Sequence, residues 1–160
     1  MKLIRMYKEK FLFQISKREK QLLFDLLALY PLVPATYSKL TKKAKADVTD
    51  ADQRLLEESL ASQRKENQKH VLAMLNEPDR FKSSDPGYRF SLARTEIEWL
   101  LQVFNDVRVG SWIALGSPDY ETEQQIEVTA KTAPHWWTME IARAFQMFLL
   151  GALNRPSSSK

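Results

Sequence analysis

Asn105, Asp106 and Arg108 are the residues whose types and spacing could do chemistry. In an open cleft, an amide, a carboxylate and a guanidinium so placed could bind a ligand or serve a reaction. In a folded interior the same arginine has a plainer task. On a helical wheel Arg108 lies about 20° from the line through Ile97, near the middle of its segment's apolar face. An arginine is not cheaply neutralised, so a buried one needs a carboxylate. Asp106 is two positions away and points elsewhere. The spacing therefore predicts a structural ion pair between helices, with Glu19 as first partner and Glu140 as second. A ligand-binding or catalytic arginine is the alternative.

Other chemistries lack their residues. His70 and His135 are the only imidazoles, far apart and without a metal-binding companion at helical spacing. No zinc-type metal site is expected, and no cofactor. Cysteine is absent, which excludes disulfides, thiolate ligands and cysteine nucleophiles. Four ungrouped glycines form no phosphate loop, and no Gly-x-Ser-x-Gly elbow occurs. Glu57-Glu58 and Glu121/Glu123 sit on polar stretches and read as solvated, not as a catalytic dyad. His135 reads as a helix-start residue.

The elements that must position these residues are mostly helical by period. From Glu96 to Gly116, Ile97, Leu100, Leu101, Phe104, Val107, Ser111, Trp112 and Leu115 share one wide face. This central helix is expected over about residues 92–115. Ser16-Lys-Arg-Glu19 is a capping box that opens a first helix over about 17–30, stopped by Pro31 and Pro34. A second helix, about 51–76, is apolar at its ends and polar in its centre, so it bridges or protrudes. Residues 31–48 read as a Lys-rich connector. Residues 79–90, with the turn signal Asp-Pro-Gly, read as a loop. Lys2–Met6 and Phe11–Ile15 alternate, predicting a small hairpin. Residues 117–133 are weakly patterned, with QIEVTA a candidate extended piece. The expectation is a mainly α fold: one helical domain over 1–153, four principal helices, a small N-terminal β-hairpin and a frayed tail at 154–160.

The last helix starts at Pro134. Trp137, Ile141, Ala144, Phe145, Phe148 and Ala152 are assigned to its core face. Trp136, Met139, Arg143, Met147 and Leu150 form a second strip at roughly helical spacing. Trp and Arg are enriched at binding hot spots and Met suits adaptable surfaces, so this strip is the candidate interface with a protein partner or a second copy. A central position, with helices on both sides, would explain the same pattern.

Composition bounds the class. The chain has 160 residues, 44% hydrophobic and 11% aromatic, which suits one globular core. No apolar run reaches the ~20 residues of a membrane span, and the first residues do not read as a signal peptide. A cytoplasmic, non-membrane protein is expected. Residues 1–45 hold 11 Lys/Arg and 3 Asp/Glu, a net of +8, against −4 for the remainder. That basic third could meet nucleic acid, but only if its charges cluster on one face. Otherwise it is a solvated surface.

FNDVRVGSWIALG and the terminal FQMFLLGAL together resemble an uncharacterised bacterial family often encoded beside the Clp protease adaptor ClpS. Its central helix reads close to leucine-asparagine-aspartate-leucine-arginine, matched by Asn105, Asp106 and Arg108. Its last helix follows Leu-Gln-x-x-Leu-Val-x-Ala-Leu, matched by Gln146, Leu149, Ala152 and Leu153. One actinobacterial branch is described as an oxidative-stress transcription regulator. With no cysteine here, a thiol switch does not carry over. The first expectation is a non-enzymatic adaptor or regulator acting through protein contacts. The second is a nucleic-acid-binding regulator using the basic N-terminal third.

Overall fold

A computed structural model describes residues 1–34, 50–118 and 126–155. In order, the elements are β1 (Lys2–Tyr7), β2 (Lys10–Ile15), α1 (Lys17–Leu29), α2 (Asp50–Asn76), β3 (Lys82–Ser83), β4 (Tyr88–Ala93), α3 (Arg94–Ala114) and α4 (Ala133–Leu153). The four strands form one antiparallel sheet in the order β1-β2-β4-β3.

This corrects the mainly α expectation: the fold is α+β, and the hairpin is half of a larger sheet. The segment read as a loop contains β3 and the start of β4. Asp-Pro-Gly there is the turn joining two strands, closed by the Ser84 N–H donating to the Gly87 carbonyl at 2.9 Å. Gly87 has φ +99°, and a Cβ would strike the Ile15 carbonyl oxygen and the Ser16 Cα. Only glycine fits where the turn crosses the end of β2.

Alternation sorts the strands into two faces. Phe11, Phe13, Ile15, Phe90 and Leu92 point inward and are buried. Phe13 and Phe90 are register partners with ring centroids 5.5 Å apart. On the inner side Phe13 meets Phe148 of α4, and Phe90 meets Phe81, which in turn meets Phe24 of α1. The outer side carries three rows of register partners: Lys2–Gln14–Arg89–Lys82, Arg5–Leu12–Ser91 and Tyr7–Lys10–Ala93. Among the described residues no helix packs over this face.

The capping box forms: the Ser16 N–H donates to Glu19 and the Glu19 N–H to the Ser16 hydroxyl. Glu96 caps α3 in one direction only, accepting the Ala93 N–H at 2.7 Å. Arg80 ties three elements together, holding Glu77 at the end of α2, Glu96 on α3 and the Ser91 carbonyl on β4. The Glu96 contact raises the Arg80 pKa; burial opposes it and Glu77 adds to it. Its hydrogen bond also covers the β4 edge beyond the two-residue β3. Helix α2 meets the body through its second half, where Asn67, Val71 and Met74 are buried. Leu55, Leu56 and Leu60 in its first half are exposed.

Candidate functional site

Helix α4 is held on one side by three kinds of contact. Phe145 stacks on Phe104 of α3 at 5.6 Å, Gln146 Nε2 donates to the Leu101 carbonyl at 3.1 Å, and Phe148 meets Phe13 of the sheet. Met139, Ala142, Phe145, Leu149 and Ala152 are buried. The opposite face is apolar as well, yet open. Trp137 is 57% exposed, Met147 63% and Leu150 48%. Ala144 and Gly151 are exposed between them. The polar interruption is Arg143, which pairs with Glu140 at 3.5 Å. A helix that merely covers a core has one apolar face; this one has two.

The second strip drawn from periodicity therefore divides. Met147, Leu150 and Arg143 lie exposed, and Trp136 is half-buried with its ring edge-on to Trp137 at 4.7 Å. Met139 is buried and leaves the strip. Trp137 and Ala144, assigned to the core, are on the open face instead. An apolar groove of about 300 Å³ runs alongside, between Met1 and Leu22 on one wall and Ile141, Ala144 and Phe148 on the other. A smaller hollow of about 170 Å³ continues it past Phe148 to Met147 and Gly151. Together these line the open face of α4 with mostly apolar side chains.

The motif in α3 does structural work of a kind different from that expected. Arg108 is half-buried and donates from Nη2 to the Asn105 side-chain oxygen at 3.1 Å. Among the described residues no carboxylate lies within ion-pair distance of it. Glu19 is engaged by the N-terminal amine and by Ser16, and Glu140 by Arg143. The expected pair is absent because the long arginine stem lets the guanidinium leave the apolar face.

Asp106 is the hub. Its Oδ1 accepts the backbone N–H of Leu32 at 2.6 Å and of Val33 at 3.1 Å, while Arg64 of α2 stands 3.7 Å from Oδ2. Gly110, one turn on, admits Leu32: a Cβ there would lie 2.7–2.8 Å from Leu32 atoms. Nearby, Asn67 accepts from Gln63 and donates to Gln102 of α3. Burial pushes the Tyr30 phenol up; its hydroxyl donates to the Arg64 carbonyl at 3.5 Å. Asp106 thus fastens the chain after α1 to α2 and α3. Gln146, the other motif residue, is likewise used in helix packing.

His70 is exposed, its ring tilted 33° against Trp99 at 5.5 Å and 3.7 Å from Glu66. Among the described residues no group of three or more His, Cys, Asp or Glu is placed to hold a metal ion. None of the described helices is long and apolar enough to cross a membrane. Two surface features escaped sequence reasoning. The open position of Trp137 had no signal, because α4 lacks a polar face to orient it. The outward Arg89 had one, the alternation of Tyr88–Ala93, and Lys82 had none, since its place follows from pairing with Arg89. No protein-family model, curated protein or solved structure matches the chain.

Proposed function

We propose that the protein is a non-enzymatic adaptor or regulator that acts in the cytoplasm through a protein contact made by the open face of α4. One observation carries this reading: Trp137, Met147 and Leu150 are all exposed on a helix whose opposite face is already buried. Trp anchors and Met adaptability are the features of binding hot spots. The resemblance to the ClpS-neighbouring family supports the same reading, since its motif residues Asp106 and Gln146 serve packing here and leave the open face of α4 free for a partner.

The partner is another protein or a second copy of this chain. Sedimentation of the wild type over a concentration series reads self-association. Cross-linking in the native host reads other partners. In either assay Trp137→Ala with Met147→Ala should abolish the complex while the thermal unfolding midpoint stays put. Complexes recovered equally from wild type and the double variant would sink the reading.

A further inference from the structure

We propose that the outer face of the sheet binds single-stranded nucleic acid, holding phosphates on a lattice of cations and stacking a base on Tyr7. The strands contain Lys2, Arg5, Lys10, Lys82 and Arg89 and not one carboxylate. All five cations are exposed, and their register places them on the outer face. Among the described residues none of them lies within ion-pair distance of an acid. The charge is therefore clustered on one face, as polyanion binding requires. It is drawn from both ends of the sheet and not from the N-terminal third alone.

Lys82 and Arg89 are direct cross-strand partners. Like charges opposite each other weaken a strand pair, and a bound phosphate would relieve them. The row Lys2–Gln14–Arg89–Lys82 crosses all four strands, roughly 14 Å at about 4.8 Å per strand. A cleft of about 610 Å³ lies over its β3 end, lined by Leu12, Lys82, Arg89 and Ser91. The acids near the face are mostly engaged: Glu77 by Arg80 and Glu9 by Arg94. Asp79, which lines the cleft with Glu77, and Asp85, in the turn whose carbonyl accepts from Gln14, are the exceptions.

Tyr7 decides the kind of nucleic acid. Tyr7 is 61% exposed on the same face, and Arg5 and Lys8 lie over its ring, 5.9 and 5.5 Å from the centroid, so a base stacks there by displacing one of them onto a phosphate. An aromatic ring among cations is a stacking platform for an unpaired base. A duplex hides its base faces, and this open sheet presents no helix or ribbon to enter a groove.

The test is fluorescence anisotropy of the full chain with oligouridine, with oligothymidine and with a duplex, each about 16 nucleotides long. RNA, DNA or both single strands should bind, tighter than the duplex. With five phosphate contacts, affinity should fall roughly 100-fold between about 50 and 200 mM salt. Lys82→Glu with Arg89→Glu should weaken binding at least tenfold at an unchanged melting temperature. Tyr7→Ala should weaken it by about tenfold. Arg54→Glu with Lys65→Glu on α2 makes the same charge change elsewhere and should alter binding less than twofold. The proposal is overturned by absence of single-strand binding at the lower salt, by tighter duplex binding, or by equal losses in the two charge-reversed variants.

Discussion

Asp106 accepts the backbone N–H of Leu32 at 2.6 Å, across a gap that Gly110 keeps open for Leu32 itself. A carboxylate holding two consecutive N–H groups is doing what a helix cap does, but for a segment distant in sequence. The polypeptide leaving α1 is thereby fixed against the middle of α3.

The carboxylate is only 12% exposed, so its removal strands two half-buried donors. Asp106→Ala should cost about 2–3 kcal/mol in urea unfolding, and Asp106→Asn, which keeps one acceptor oxygen, about 1 kcal/mol. An unchanged midpoint for Asp106→Ala would refute the anchoring role. Gly110→Ala disturbs the same Leu32, so the two effects should add to less than their sum in a double-mutant cycle.

Arg108 behaves otherwise. A buried ion pair would cost about 3–5 kcal/mol on loss of one partner. Its hydrogen bond to Asn105 is exposed and local. Arg108→Ala should therefore destabilise by about 0.5 kcal/mol, read as a small shift of the urea midpoint. A loss above about 2 kcal/mol would restore the ion-pair expectation.

Glu19 gives the acid side of the stability curve a definite sign. Burial pushes its pKa up, but hydrogen bonds from the N-terminal amine and from the Ser16 N–H and hydroxyl outweigh burial and hold it below the usual 4.5. A carboxylate with a lowered folded pKa contributes fully above its unfolded value and loses that contribution as pH falls through the folded one. Chemical denaturation from pH 6 downward should show Glu19→Gln losing less stability below about 4.5 than wild type does. The group is partly exposed, so salt should shrink the difference. Parallel curves for the two proteins would contradict the assignment.

Signals that are local in the chain were legible, and those that depend on distant partners were not. The α1 boundaries follow from Ser16, Glu19 and Pro31, all inside or within two residues of the segment they delimit. Tyr88–Ala93 alternates as a strand should, but a six-residue strand has meaning only beside β2, which lies far back in the sequence. Asp-Pro-Gly read as a loop for the same reason: a turn is recognisable only when both its strands are. In α3 the wheel placed Arg108 correctly on the helix and wrongly in the core, because periodicity locates a Cβ and not the end of a long side chain. In α4 the apolar residues run all round, so no polar face marks the outside. The helix was legible and its orientation was not.

That last ambiguity has a sharp experimental form in Met139 and Met147, which the periodicity put on one strip. Met139 is 6% exposed and Met147 63%. Truncating a buried methionine removes its transfer energy and leaves a cavity, so Met139→Ala should cost about 2–4 kcal/mol. Truncating an exposed one should change stability by less than about 0.5 kcal/mol. Both are read by urea unfolding at low protein concentration, where any self-association on the open face is dissociated. If that face is an interface between copies, raising the concentration stabilises the wild type by mass action and leaves Met147→Ala behind. Equal costs for the two substitutions in the dilute monomer would mean that Met147 is covered by this chain itself, and the open face of α4 would not exist.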